Sequence, residues 1–194
     1  MIGAGITGTL VALELVDHGF EVVVLDRRGC RPWQHCGEHR HTQYEIDELL
    51  VDLTEVYGEE TAHTAYQECA RGIDLVGKRA DQLGLASCFR RSPSVFIASK
   101  VKDLPVLRAE LDARRSAGFD VRWLEPDDLS RRWGLTGRGA IESAHGGSVD
   151  PYLLTHAGLA SIVGRGARVH DRTSATSFES TSRTVRVATD QARR

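Results

Sequence analysis

The strongest constraint on this chain is the glycine pattern Gly3-x-Gly5-x-x-Gly8 at its beginning. Residues 9–25 then hold an apolar pattern of helical spacing and a nearly continuous β-branched run, which Asp26 ends. This order predicts a glycine loop that opens a helix, followed by a buried strand of a parallel sheet. Glycine loops are common, but this succession favours a dinucleotide-binding βαβ unit over a plain glycine turn before a surface helix.

Each residue of the pattern has a physical task in such a unit. Gly3 permits the tight turn after a first strand, Gly5 lets the backbone approach a pyrophosphate, and Gly8 lets the helix and strand pack closely. The N-terminus of the helix has N–H groups without partners and a partial positive charge, which suit phosphate oxygens. Asp26 can accept hydrogen bonds from ribose hydroxyls, and its charge would disfavour a 2′-phosphate.

The first strand of such a unit normally precedes the glycines, and here only Met1 and Ile2 do so. We therefore expect a central strand that is missing or reduced to a stub. This departure predicts either a start codon assigned too late or a gene truncated on its 5′ side.

The composition excludes several classes of protein. At 194 residues the chain is long enough for one substantial domain or two small ones. Its apolar fraction of 41% and charged fraction of 27% argue against intrinsic disorder. The net charge of −2 shows no bias towards nucleic acid. We interpret the basic pairs as solvated edges of helices or strands; they are Lys78-Arg79, Arg90-Arg91, Arg114-Arg115 and Arg131-Arg132.

The sequence also predicts where the protein resides. The longest apolar run, Val22–Leu25, is far shorter than the roughly 20 residues that a transmembrane helix needs. No secretory signal with a basic start and an apolar middle is visible. The four cysteines are too few and too scattered for a disulfide scaffold. We therefore expect a reduced, cytoplasmic setting.

Apolar spacing predicts the remaining elements. Helices are expected over residues 44–57, 59–85, 102–117 and from Asp150 to about 165. Strands are expected over residues 89–98, 141–149, 169–170, 175–178 and 185–188.

Three tracts in the second half of the chain point to a family. Val149-Asp150-Pro151 predicts a helix start, residues 166–169 read Gly-Ala-Arg-Val, and residues 173–187 fall where members of that family have a β-hairpin. With the glycine loop, this arrangement resembles the FAD-dependent oxidoreductases of the D-amino acid oxidase and glycine oxidase type. The resemblance implies an α/β fold. In this fold a doubly wound, FAD-binding domain of the Rossmann type is interleaved with an α+β substrate-side region. The resemblance also implies that this chain is a truncated, N-terminal part of such a protein.

The resemblance also implies a domain organisation and an activity. Residues 1–42 and 147–194 would form the FAD-binding domain, and residues 43–146 a mostly helical substrate-side region. The implied reaction is oxidation of a C–N bond of a small amine or amino acid by hydride transfer to flavin. Because the cofactor carries this chemistry, no catalytic acid or base is assigned.

The residues that the resemblance assigns to FAD lie in the loop, after the following strand and in the later hairpin. Those around the pyrophosphate are Gly3, Gly5, Ile6, Thr7 and Gly8. Asp26 would hold the adenosine ribose, and Arg27 or Arg28 would lie over the adenine side. Ala175 would bind the adenine ring through backbone groups.

One tract, residues 29–41, departs from the family, whose members have a stretch rich in Ser, Thr and Gly there. It contains Cys30, His35, Cys36, His39 and His41. The C-x5-C-x2-H-x-H spacing is not that of the common structural zinc units, so no metal site is predicted. We interpret the tract as the product of two compensating reading-frame shifts, and translation of the gene in all three frames would test this.

The second departure is length, since members of the family are roughly twice as long. Their later half supplies much of the substrate sheet and the contacts to the flavin ring. Two alternatives to an active oxidoreductase therefore stay open at this stage. The chain could be a truncated, catalytically inactive fragment of such an enzyme, or an NAD-binding domain of another oxidoreductase.

Overall fold

The computed structural model describes residues 1–29 and 40–191, which divide into two compact units. The first unit consists of the described parts of Met1–His39 and Asp150–Arg194, together with Gln82–Cys88. The second unit consists of Arg40–Asp81 and Phe89–Val149.

The residues that the structure describes form six α-helices and ten strands. The helices are α1 (Ile6–Asp17), α2 (Leu50–Tyr57), α3 (Glu59–Gln82), α4 (Leu104–Ser116), α5 (Pro126–Trp133) and α6 (Pro151–Gly164). The strands are β1 (Val23–Leu25), β2 (Arg40–Gln43), β3 (Phe89–Arg91), β4 (Ser94–Ala98), β5 (Val121–Leu124), β6 (Gly139–Ser143), β7 (Gly146–Val149), β8 (Arg168–His170), β9 (Ala175–Ser180) and β10 (Val185–Thr189). Short 3₁₀ turns at Ala86–Cys88 and Val101–Asp103 complete the pattern. The mixed α/β class predicted from the sequence is confirmed.

A parallel sheet organises the first unit. Strand β1 pairs with β8 in parallel, with Val24 opposite Val169. On its other side β1 forms a single parallel bridge from Leu25 to Ile2. Helix α1 connects the stub to β1 and α6 precedes β8, and their inward residues Leu13 and Ile162 belong to one buried apolar cluster with β1. The predicted first strand is therefore present as a stub.

Strands β9 and β10 form a separate antiparallel hairpin in the first unit, with Val187 opposite Phe178. The Phe178 side chain is 60% exposed. The short strands predicted over 175–178 and 185–188 are confirmed, and both extend slightly beyond those limits.

The described part of the second unit contains two antiparallel three-stranded sheets, of order β2-β7-β3 and β4-β6-β5. An aromatic cluster fills the core between helices and strands. Tyr44 stacks on Phe119 with ring centroids 4.4 Å apart, and Tyr66 meets Tyr44 edge-on at 5.9 Å. Burial raises the pKa of both tyrosines, so the phenol of Tyr66 is a stable donor to Glu48 O at 2.7 Å.

The interpretation of Arg114-Arg115 as a solvated pair is wrong for Arg114. Its side chain is only 1% exposed, and it donates from Nε to Glu110 Oε1 at 2.7 Å and from Nη1 to Glu45 Oε1 at 3.0 Å. The reason is helical periodicity, since Arg114 follows Leu111 and Leu107 on the inward face of α4. Arg115, one position further, is half-exposed.

The same network explains why α2 begins later than the helix predicted over residues 44–57. The Glu110 carboxylate accepts hydrogen bonds from the N–H groups of Leu50 and Val51, each at 3.1 Å. These are among the backbone donors at a helix N-terminus that lack intrahelical partners. A residue sixty positions away thus fixes the start of α2, and Tyr44 lies in a bend directly after β2.

Among the described residues, no helix is both long and apolar enough to cross a membrane.

Candidate functional site

The glycine loop is held to the end of β1 by backbone hydrogen bonds. Leu25 N–H donates to Met1 O at 3.0 Å, and Gly3 N–H donates to Leu25 O at 2.8 Å. Gly3 has a φ of +97°, a left-handed conformation in which any side chain would be strained. The chain can therefore turn sharply from the stub into α1 only with glycine at this position.

Gly8 lies in the first turn of α1 against the stub. A Cβ atom at Gly8 would stand 2.0 Å from Gly3 O, which no other residue could tolerate. A second close approach joins the two helices, because a Cβ atom at Gly158 of α6 would stand 2.5 Å from Thr9 Cγ2. Both glycines bring elements of the first unit closer together than a side chain would permit.

The N-terminus of α1 has backbone donors without side-chain partners. Gly5 is its N-cap residue, and no side chain of the described residues caps this helix. Its first turn contains no acidic residue. The first N–H groups of a helix have no intrahelical acceptor. Gly5 and Thr7 are exposed, so this end of the helix is open to an anionic group.

Asp26 binds the glycine loop directly. Its Oδ2 accepts from the N–H of Ala4 at 2.7 Å, and its Oδ1 accepts from the N–H of Arg28 at 2.7 Å. The carboxylate therefore fixes the loop relative to the carboxyl end of β1. The structure thus places Asp26 beside the loop that contains Gly3, Gly5, Ile6, Thr7 and Gly8.

The remaining predicted residues lie around the same end of the sheet. Arg27 and Arg28 follow Asp26 and are exposed. The N–H of Thr173 donates to Asp26 O at 2.8 Å, which brings the start of the hairpin to this position. Ala175, half-buried, is the first residue of β9 and lies two residues further along. The roles of all nine residues towards FAD stay predictions.

The sequence reasoning missed the contact between Asp26 and the backbone, although a signal for part of it was present. An aspartate often accepts a hydrogen bond from the N–H two residues later, and Asp26 does so from Arg28. The bond from Ala4 has no such local signal, because it joins positions 22 residues apart.

The Val149-Asp150-Pro151 tract forms the predicted helix start. Asp150 caps α6, accepting at Oδ1 from the N–H groups of Tyr152 and Leu153, both at 3.0 Å. The buried Cys88 thiol donates to Asp150 O at 3.1 Å, and burial raises its pKa. Cys88 is therefore packed as a small buried side chain, and its raised pKa disfavours the reactive thiolate.

The Cys/His tract falls mostly on residues that the structure does not describe. Cys30, His35, Cys36 and His39 lie outside the described residues, and His41 lies in β2. Within residues 1–29 and 40–191, no group of three or more metal-ligating side chains comes together.

Comparisons with known proteins identify the family. The whole chain, residues 1–194, matches the family described as FAD dependent oxidoreductase. The chain is 27% identical over 189 residues to gamma-glutamylputrescine oxidoreductase from Escherichia coli strain K12, which covers 95% of this chain and 44% of that protein.

Solved structures share the fold. L-amino acid deaminase from Proteus vulgaris matches with a TM-score of 0.73 and 21% identity, over 97% of this chain and 43% of that one. Glycine oxidase from Bacillus cereus matches with a TM-score of 0.67 and 17% identity, over 97% of this chain and 50% of that one. The chain thus spans no more than half the length of these relatives, and it belongs to the family of FAD-dependent oxidoreductases of the D-amino acid oxidase type.

Proposed function

We propose that the first unit binds FAD through the glycine loop and Asp26. We further propose that the protein oxidises a C–N bond of a small amine or amino acid. The observation that carries the proposal is the loop itself, in which an uncapped helix N-terminus is fixed to β1 by the bond from Ala4 N–H to Asp26 Oδ2.

The residues of the loop fit a pyrophosphate. The glycines at positions 3, 5 and 8 keep side chains away from the N-terminus of α1, so a ligand can approach the backbone closely. The partial positive charge of a 12-residue helix favours an anion at this end. In this proposal Ile6, Thr7 and Gly8 donate backbone hydrogen bonds to phosphate oxygens.

Asp26 also fits a ribose. A carboxylate has about four acceptor positions, and the described contacts use one on each oxygen. The remaining positions can accept from two hydroxyl groups. Arg27 or Arg28 would then lie over the adenine side, and the backbone near Ala175 would contact the adenine ring.

When bound, FAD would accept a hydride from the substrate carbon. The chain's own residues would bind and orient the cofactor, and residues 43–146 would form the substrate-side region. The names of the relatives support this substrate class, since they act on gamma-glutamylputrescine, L-amino acids and glycine.

The test is binding of FAD to the purified full chain, measured by flavin fluorescence and by titration calorimetry. We expect Asp26→Asn to weaken binding about ten-fold or more, because hydrogen bonds to a charged acceptor are lost. Gly8→Ala should abolish binding. Asp171→Asn and Gly164→Ala are matched controls, since Asp171 is exposed and a Cβ at Gly164 meets nothing within 4 Å.

The same experiment decides between the alternatives. Binding of NAD in place of FAD would overturn the cofactor assignment. Binding of FAD without bleaching of its absorption by amines or amino acids in the absence of oxygen would support an inactive fragment and contradict the proposed reaction.

A further inference from the structure

Asp26 makes more contacts with the backbone than a residue that only binds ribose would need. Its own N–H donates to His170 O at 2.9 Å, and its carbonyl oxygen accepts from Thr173 N–H at 2.8 Å. Its carboxylate accepts from Ala4 N–H at Oδ2 and from Arg28 N–H at Oδ1, both at 2.7 Å. This one residue thus joins the glycine loop, the turn after β1, the end of β8 and the start of the hairpin.

The contacts of the side chain require a group with two acceptor oxygens. Ala4 N–H and Arg28 N–H are both donors, and each faces a different oxygen of Asp26. An ionised carboxylate offers acceptors only, whereas an asparagine side chain offers one acceptor oxygen and one amide nitrogen that is a donor. Asparagine at position 26 can therefore keep one of these bonds and places a donor against the other N–H.

The bond from Ala4 acts on the N-terminus of α1. Ala4 is buried and lies directly before Gly5, the N-cap residue of this helix. The glycines on either side of Ala4 allow the loop many backbone conformations. The bond to Asp26 therefore restricts the directions in which the first N–H groups of α1 point, and these are the donors that lack intrahelical acceptors.

The negative charge of Asp26 separates two roles for this residue. A carboxylate beside an anion site opposes anion binding through Coulomb repulsion. If Asp26 only bound ribose, asparagine in its place would leave a phosphate ligand without ribose unaffected, or would let it bind more tightly. If Asp26 positions the loop, the same replacement weakens the binding of that ligand.

We infer that Asp26 is a positioning residue that forms the phosphate site before any ligand binds. Inorganic pyrophosphate, which has no ribose, then depends on Asp26 as FAD does. The inference rests on the proposed function for the location of the phosphate groups. It goes beyond that function because it assigns to Asp26 a contribution that acts through the loop and is independent of the ribose.

The test is titration calorimetry of the purified full chain with inorganic pyrophosphate, ADP and FAD. We expect Asp26→Asn to weaken the binding of all three about ten-fold or more, because the loop loses a charge-assisted hydrogen bond. Asp26→Glu keeps the charge and both acceptor oxygens, so it should restore part of the pyrophosphate binding. Gly8→Ala should abolish pyrophosphate binding, which locates the ligand at the loop.

Asp171→Asn is the matched control. It removes an exposed carboxylate directly after β8, at the same end of the sheet, and should leave pyrophosphate binding unchanged. Circular dichroism melts should show that the variants are folded. A second measurement needs no ligand, because hydrogen exchange of a peptide that covers residues 3–8 should be faster in Asp26→Asn than in the native chain or in Asp171→Asn.

Unchanged or tighter binding of pyrophosphate to Asp26→Asn, together with weaker binding of FAD, would overturn the inference and leave the proposed function intact. A native chain that shows no saturable binding of pyrophosphate would also overturn it, as would an equal loss in Asp171→Asn. A native chain that binds pyrophosphate but not FAD would contradict the proposed function, and the pyrophosphate titrations would still decide the role of Asp26.

Discussion

At the scale of single residues, Arg114 shows how a charge is accommodated inside the second unit. Its guanidinium group joins Glu110 and Glu45, and it also donates to the phenol of Tyr44 at 3.3 Å. Removing one partner of such a network leaves buried charges without compensation, which costs far more than the network itself contributes.

We therefore expect Arg114→Leu to lower the free energy of unfolding by about 3–5 kcal/mol, since Glu110 would remain buried without its cation. Urea denaturation followed by circular dichroism measures this change. The control is Arg115→Leu, which affects only a loose exposed pair with Asp112 and should stay within about 0.5 kcal/mol. Equal losses in the two variants would contradict the structural role of Arg114.

Glu142 gives a prediction about pH. Burial raises its pKa, but hydrogen bonds from Arg122 and Trp133 and the charges of Arg122 and Arg132 outweigh burial and hold the pKa below the ordinary value of 4.5. A carboxyl whose pKa is lower in the folded state stabilises the fold above its unfolded pKa. That stabilisation is lost as the pH falls from 4.5 through the folded value.

Consequently, Glu142→Gln should flatten the dependence of the unfolding free energy on pH below 4.5, and should be less stable than the native chain above it. Denaturation curves at a series of pH values measure this. Glu179→Gln, at an exposed position of β9, is the control and should keep the native slope. An unchanged slope in Glu142→Gln would refute the prediction.

At the scale of elements, helix starts show how much of the fold could be predicted. The cap of α6 was predictable because Asp150 and Pro151 are local signals, and the helix begins where they indicate. The start of α2 was not, because its cap comes from Glu110 on another helix. For the candidate site, the glycine loop and Asp26 follow from spacing, whereas the bond between Asp26 and Ala4 depends on tertiary structure.

The α6 cap can be tested by itself. Asp150→Ala removes the acceptor of two backbone hydrogen bonds and should destabilise the chain by about 0.5–2 kcal/mol. Asp150→Asn retains a capping oxygen and should keep most of the stability in the same urea titration. A loss in Asp150→Asn as large as in Asp150→Ala would show that the charge, and not the cap, is responsible.

At the scale of the whole molecule, the two units have separate apolar cores. Leu13 belongs to the core of the first unit and Leu111 to that of the second. Each is nearly inaccessible to solvent, so replacing either with alanine should cost about 2–5 kcal/mol.

Hydrogen exchange followed by mass spectrometry should show that these losses are local. Leu13→Ala should speed exchange mainly in β1, β8 and α6, and Leu111→Ala mainly in α3, α4 and β6, because each unit opens as its own cooperative element. Each variant serves as the control for the other. Equal acceleration across both units in either variant would mean that they unfold together.

The separation of β1 and β8 along the chain also affects the order in which the protein can fold during its synthesis. Val24 pairs with Val169, and the whole of the second unit lies between them in the sequence. The ribosome releases all strands of the second unit, β2 to β7, before it releases β8. The second unit can therefore complete its sheets first. Strand β1, which Asp26 follows, must wait for β8, so the parallel pair beside the glycine loop can form only after every strand of the second unit has been released.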